Sequence, residues 1–389
     1  MRHVPRMLAQ QVTRAAKNFP AVVLTGPRRA GKTWLLRRLL PDTDYALLED
    51  PDVVARVRSD PHGFLDALKP PVILDEIQNT PELLAFVRAR IDRKPRRTGQ
   101  WFLTGSHEAP LMRGVTESMA GRAAVLHLPP FSIRESSKVT MLRGGYPEAV
   151  ARPGSARLWF ASYIQTYLER DVRSVLGIRD LATFRRFLGL LASRHGQMQN
   201  KTDLAAPLGV SAPTITQWIS VLETTAQVLI VPPFYDNLGK RLIKSPKVYL
   251  ADSGLACHLL GIDGAADLAR SPFRGAVFEG FIASEIIKCQ VASGRRAELY
   301  YFRDQQGLEV DFVVPGRSSS LSLLECKATR TVTPQMTVAM MRLAETIRAK
   351  RRLKVDAFLL HETPKDGTQI RALVPGVRAV PWREYVAGL

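Results

Sequence analysis

The residues Gly26-Pro-Arg-Arg-Ala-Gly31-Lys32-Thr33 follow the apolar run Ala21 to Leu24 and lead into a segment, Lys32 to Leu40, with apolar residues at helical spacing. Strand, glycine loop and helix in that order are the context in which GxxxxGK[ST] has chemical meaning. Glycines let the backbone curl so that N–H groups face one centre, and the helix N-terminus adds its dipole. Lys32 supplies a point charge for β and γ phosphates, and Thr33 a hydroxyl for Mg²⁺. Gly26, Pro27, Arg28, Arg29, Ala30, Gly31, Lys32 and Thr33 are therefore expected to bind ATP.

Such a loop belongs in a parallel sheet covered on both faces. The first third of the chain reads that way, with predicted strands at Tyr45 to Leu48, Val72 to Leu74, Trp101 to Thr104 and Ala124 to Leu128 between helical segments. Asp75 and Glu76 end the second of these strands. Asp75 is expected to hold Mg²⁺, and Glu76 to polarise the attacking water. Thr104, with Ser106 just beyond it, could orient that water or contact the γ phosphate. Arg122 is a candidate sensor or arginine finger, and Arg113 a weaker one.

GPRRAGKT, ILDEIQ, LTGS and the AGR segment resemble AAA-superfamily ATPases of bacteria and archaea that carry an uncharacterised C-terminal domain. The similarity continues through KRLIKSPKVYLADSGLACHLLG, GAVFEGFIASE, LEVDFVV and LLECKA, so it covers nearly the whole chain. The resemblance implies ATPase chemistry and an order of domains, and names no substrate.

At 389 residues the chain has room for three units. The expected architecture is an α/β AAA-like ATPase domain over 1–135, a helical connector with a winged helix-turn-helix over 136–270, and a restriction-endonuclease-like α/β domain over 271–389. In the middle unit Leu204, Leu208, Val210, Ile215, Ile219 and Leu222 are the predicted core, with a turn at Gly209. Ser211, Thr214, Thr216 and Gln217 could face nucleic acid. Against that, Pro207 should break the first helix early, and the second carries no lysine or arginine. Lys240, Arg241, Lys244 and Lys247 are read as a loop or wing.

In the last unit predicted strands run from Glu298 to Phe302, Glu309 to Val314, Leu321 to Cys326 and Val355 to Leu360, with helices at Val277 to Gln290 and 334–349. Period-two alternation puts Glu325 and Lys327 on one strand face, with Leu324 and Cys326 on the other. With Asp311 and Glu279 they resemble a restriction-endonuclease-like site. In that resemblance Asp311 and Glu325 bind Mg²⁺ or Mn²⁺, Lys327 steadies the water or phosphate, and Glu279 assists. Glu285 and Glu309 are rivals for the helper role, more simply read as surface or salt-bridged.

Lysine plus arginine number 55 against 36 acidic residues, a net charge of +19. The excess is spread over all three units, which makes nucleic acid, most simply DNA, the expected partner. An arginine-rich genome would give the same bias. Three scattered cysteines, no secretory leader and no long apolar run point to the cytoplasm and away from a membrane. A homo-oligomer is left open. The competing reading is an ATP-switched interaction or regulatory protein whose C-terminal domain is a non-cleaving scaffold.

Overall fold

The computed structural model describes residues 4–105, 118–168, 180–234, 245–316, 320–350, 353–363 and 372–389. The first part contains α1 (Ala9–Asn18), β1 (Ala21–Thr25), α2 (Lys32–Leu39), β2 (Asp44–Leu47), α3 (Pro51–Ser59), α4 (Pro61–Asp66), β3 (Val72–Asp75), α5 (Leu83–Arg93), β4 (Trp101–Thr104) and β5 (Ala123–His127). Its sheet has the order β2-β3-β4-β1-β5. All four pairings are parallel.

Local chemistry starts these elements where the sequence suggests. Asp50 and Asp60 each precede a proline and each accepts a hydrogen bond from a backbone N–H of the helix that follows, satisfying a donor the helix itself leaves unpaired. β1, β3 and β4 are buried along their whole length, so they need apolar residues on both faces. One face packs on Leu84 and Val87; the other packs on Leu8, Leu35 and Leu36.

The middle part comprises α6 (Pro147–Ala151), α7 (Ala156–Tyr163), α8 (Leu181–Ser193), α9 (Lys201–Ala205), α10 (Ala212–Thr224), β6 (Val228–Val231), β7 (Lys247–Leu250), α11 (Ser253–Leu259) and α12 (Ala265–Arg270). α9 stops at Ala205, a 3₁₀ turn carries Pro207, and Gly209 turns the chain at φ 65°. A proline lacks the N–H that a continuing helix would need. Leu204, Leu208, Ile215, Ile219 and Leu222 are buried here as expected, Val210 only partly, and Trp218 joins them against Phe184 and Phe187. β6 pairs antiparallel with β7.

The last part runs α13 (Arg274–Ala292), β8 (Tyr300–Arg303), β9 (Glu309–Pro315), β10 (Ser320–Lys327), α14 (Val338–Lys350), β11 (Lys354–His361), β12 (Ala372–Val374), β13 (Val377–Pro381) and α15 (Trp382–Ala387). Its mixed sheet has the order β12-β13-β11-β10-β9-β8. β9 and β10 are antiparallel, while β10 and β11 are parallel, with α14 as the crossover. The strands β12 and β13 and the helix α15 were not anticipated. The core on the α13 face of this sheet also takes in Phe131, Val139 and Tyr249 from earlier in the chain.

His195, between the middle part and α13, illustrates how tight this junction is. Its Nδ1 accepts from Leu250 N at 3.1 Å, and its Nε2 has no hydrogen-bond partner. A Cβ on Gly280 would lie 2.1 Å from that nitrogen, so only glycine fits there. Burial pushes the imidazole down to about 4. A histidine with a depressed folded pKa adds stability above its unfolded value, near 6.5, and loses it as pH falls towards 4. Relative to His195→Gln, the wild-type chain is expected to lose about 3 kcal/mol between those limits. Urea unfolding of both proteins across that range checks it.

Candidate functional site

Because every pairing in the first sheet is parallel, the carboxyl ends of its strands share one edge. The glycine loop leaves β1 at that edge, Asp75 ends β3, and Thr104 ends β4, which lies between them. Gly26 adopts φ 144° and Gly31 φ 96°. A Cβ at Gly26 would meet the Leu128 carbonyl oxygen at 2.3 Å, so close backbone approach as well as φ requires glycine here. Lys32 is buried, and its Nζ donates to the carbonyl oxygens of Gly26 and Pro27 at 3.0 and 3.1 Å.

Asp75 gathers three hydroxyls. Thr33 Oγ1 donates to both carboxylate oxygens at 2.8 and 3.0 Å, Tyr45 donates at 2.8 Å, and Thr104 also donates to Asp75. Burial, then the carboxylate itself, raises the Tyr45 phenol. The threonine that follows the loop lysine and the acid of the neighbouring strand are thus in direct contact, a hydroxyl and carboxylate donor set suited to a hard cation. Glu76 is held just beyond. Its N–H donates to Thr104 Oγ1 at 3.1 Å, and its carboxylate accepts from Gln78 and lies 3.9 Å from Arg28. Its backbone sits at φ 59°, a left-handed conformation that is uncommon outside glycine.

Arg122 is not part of this group. The register Ala21↔Ala123 puts it at the amino end of the sheet, on the order of 15 Å from the loop along the strand. There it pairs with Asp92 through two hydrogen bonds of 2.6 and 3.1 Å. The candidate sensor or arginine finger thus lies away from the glycine loop of its own chain. Ser106 and Arg113 lie outside the described residues.

Arg6 was missed by the sequence reading, since nothing in its local spacing sets it apart. It is buried, donates to the Ala30 carbonyl of the loop at 2.7 Å and to the Pro129 carbonyl at 2.5 Å, and pairs with Glu135 at 3.0 Å. Burial lowers its pKa, and Glu135 works against that shift. The connection extends past β5. Ser132 Oγ and Ile133 N both donate to Glu285 of α13, and Lys288 Nζ donates to Glu285 and to the Phe131 carbonyl. Arg6→Met is expected to cost about 3 kcal/mol, because it leaves Glu135 buried without its cation. Guanidinium unfolding of the variant against wild type measures this.

At the C-terminal centre the structure does bring together Glu279, Asp311, Glu325 and Lys327. Asp311 Oδ2 accepts from Cys326 N at 2.8 Å, and Lys327 Nζ donates to Glu325 Oε1 at 2.6 Å. Burial, then the Asp311 charge, pushes Glu279 up to about 7 and Glu325 up to about 8. Asp311 is also raised, by burial. Lys247, expected on an exposed wing, is instead buried in this centre, with Nζ 2.9 Å from Glu279 and 2.8 Å from Glu309. Tyr249 donates to Glu279 at 2.5 Å. Glu285 is a buried ion pair with Lys288, apart from the centre, and Glu309 is paired with both Lys247 and Arg303. Lys240, Arg241 and Lys244 lie outside the described residues.

Residues 18–137 match the family model of the AAA domain. Residues 134–266 and 274–375 match two domains of unknown function, DUF8612 and DUF4143. Uncharacterized proteins of Mycobacterium tuberculosis and Mycobacterium bovis are each 35% identical over 317 residues, which is 79% of this chain and 70% of theirs. Among solved structures, the Walker-type ATPase of Pyrococcus abyssi aligns at 17% identity with a TM-score of 0.44, covering 65% of this chain and 94% of that one. The RuvB Holliday junction branch migration motor of Thermotoga maritima aligns at 18% identity with a TM-score of 0.29, covering 59% of this chain and 90% of that one. With a glycine loop and an acidic strand end in one parallel sheet, the chain carries an AAA-type P-loop ATPase domain and belongs to the same family as the two uncharacterized mycobacterial proteins.

Proposed function

We propose that the chain is a Mg²⁺-dependent ATP hydrolase whose turnover is linked to nucleic acid, most simply DNA, held by its middle and C-terminal parts. The observation that carries the ATPase reading is the meeting of Thr33, Asp75 and Thr104 at one sheet edge, beside a glycine loop that admits no side chain at Gly26. In this reading Gly26 to Thr33 cradle the phosphates, and Lys32 leaves its loop carbonyls to meet β and γ phosphate charge. Thr33 and Asp75 would hold Mg²⁺, which supplies positive charge to the transferring phosphoryl group. Glu76 orients and deprotonates the attacking water, and Thr104 fixes Asp75 and the backbone of Glu76.

α8 to α10 with the β6–β7 pair support a winged helix, and the run α13-β8-β9-β10-α14-β11 supports a restriction-endonuclease-like scaffold. Ser211 and Thr214 are engaged with each other at the start of α10, leaving Thr216 and Gln217 exposed and uncharged. Nucleic-acid contact therefore leans on the distributed charge of +19 rather than on that helix. A cytoplasmic setting goes with this reading. Cleavage by Asp311, Glu325 and Lys327 is the second reading for the C-terminal domain. Lys247 inside their acidic centre favours a non-cleaving scaffold.

Anisotropy of labelled duplex and single strands tests the partner. Binding at low salt is expected to weaken by about 10³-fold or more between 50 and 200 mM salt through counterion release. If neither strand form binds at low salt, with or without ATP, the ATP-switched interaction protein becomes the better reading.

A further inference from the structure

Mg²⁺ between Asp311 and Glu325 is what the restriction-endonuclease resemblance implies, and the residues around those two acids do not fit it. The space on the Glu279 side is taken by an ammonium. Lys247 Nζ makes ion pairs of 2.9 Å with Glu279 and 2.8 Å with Glu309; burial disfavours its charge, and the Glu279, Asp311 and Glu309 charges outweigh that and keep it protonated. Asp311 Oδ2 accepts from the Cys326 N–H and Glu325 Oε1 from Lys327, which leaves Glu325 Oε2 as the one buried oxygen of that carboxylate without a hydrogen bond. Among the described residues no three His, Cys, Asp or Glu side chains gather so as to hold a metal ion.

Lys247 is not a wandering surface side chain. It starts β7, whose pairing with β6 fixes the backbone. The segment after β6 docks on the edge of the C-terminal sheet, where Tyr301 N donates to Pro232 O at 3.1 Å and Phe234 N donates to Tyr301 O at 2.7 Å. The ammonium lies 5.4 Å from the centre of the Tyr301 ring, within reach of a cation–π interaction. Two residues along, Tyr249 donates to the same Glu279. A buried charge held by that many contacts offsets the repulsion among Glu279, Glu309 and Asp311, as a divalent ion does elsewhere.

We infer that the Lys247 ammonium is the resident cation of the C-terminal acidic centre, so that this centre takes up no divalent metal and cuts no nucleic acid while β7 is docked. The inference rests on the reading of that domain as a nuclease-type scaffold and says how its site is regulated: the closing charge comes from the middle part of the same chain.

Mn²⁺ titration followed by electron paramagnetic resonance, on nucleotide-free full-length protein, tests it. Wild type and Asp311→Asn are expected to give superimposable curves. Lys247→Met, close to lysine in volume, is expected to gain about one bound Mn²⁺ per chain, and Lys247→Met/Asp311→Asn to lose it. If Lys247→Met does not unfold cooperatively, Lys247→Met/Glu309→Gln, which removes the orphaned partner charge, carries the same comparison. Asp311-dependent uptake by wild type overturns the inference and leaves the scaffold reading standing. A folded Lys247 variant that takes up no Mn²⁺ overturns both.

Discussion

Lys32→Ala is expected to lower ATP affinity by about 100-fold or more while the protein stays folded. The side chain is buried, and its Nζ donates to the carbonyl oxygens of Gly26 and Pro27 in its own loop. A contact between ammonium and phosphate pairs two opposite charges, whereas one to a carbonyl pairs a charge with a dipole, so the ammonium should transfer to the nucleotide when it binds. A loss of about 3 kcal/mol corresponds to that change in affinity. No other side chain of the loop can replace it, because Arg28 faces Glu76 and Arg29 faces Glu148. Calorimetric titration with ATP decides, and equal affinity for variant and wild type removes Lys32 from the site.

Glu76→Gln should separate binding from chemistry. Glu76 lies past the end of β3 in a left-handed backbone conformation that non-glycine residues seldom adopt, and its carboxylate lies 3.9 Å from Arg28 of the loop. Removing a general base costs about 10²- to 10⁴-fold in rate. ATP affinity should stay within a few-fold of wild type, since Lys32, Thr33 and Asp75 are untouched. Single-turnover hydrolysis is the measurement; a variant turning over within about two-fold of wild type would mean that another group activates the water.

The glycine loop was legible in the sequence because its form is local: eight consecutive residues running from the end of a strand into a helix. Asp75, Glu76 and Thr104 were legible for a related reason, since each ends an apolar strand. What the sequence did not reveal was that β4 would lie between β1 and β3 and so bring Thr104 into hydrogen bonding with Asp75. Arg122 shows the cost of ignoring strand direction. A residue just before a strand parallel to β1 must lie at the end opposite a loop that leaves β1, and this much could have been reasoned from the order of elements.

Arg6 and Lys247 were hidden for another reason. Their partners are remote in sequence, Glu135 for Arg6 and Glu279 and Glu309 for Lys247, and one basic residue among 55 carries no mark of burial. β13 did leave a trace, because buried Val377 and Ala379 alternate with exposed Arg378, but a strand of five residues next to one of three is short for a periodicity argument.

ATP hydrolysis at the β1–β3 sheet edge is expected to answer to nucleic acid held elsewhere on the chain. Steady-state ATP turnover with Mg²⁺, measured with and without long duplex DNA over a range of salt, tests it most directly. Turnover is expected to require Mg²⁺, to rise when DNA is added, and to return to its basal level as salt releases the DNA. Mg²⁺-dependent turnover that is the same with and without DNA at the lowest salt would contradict it.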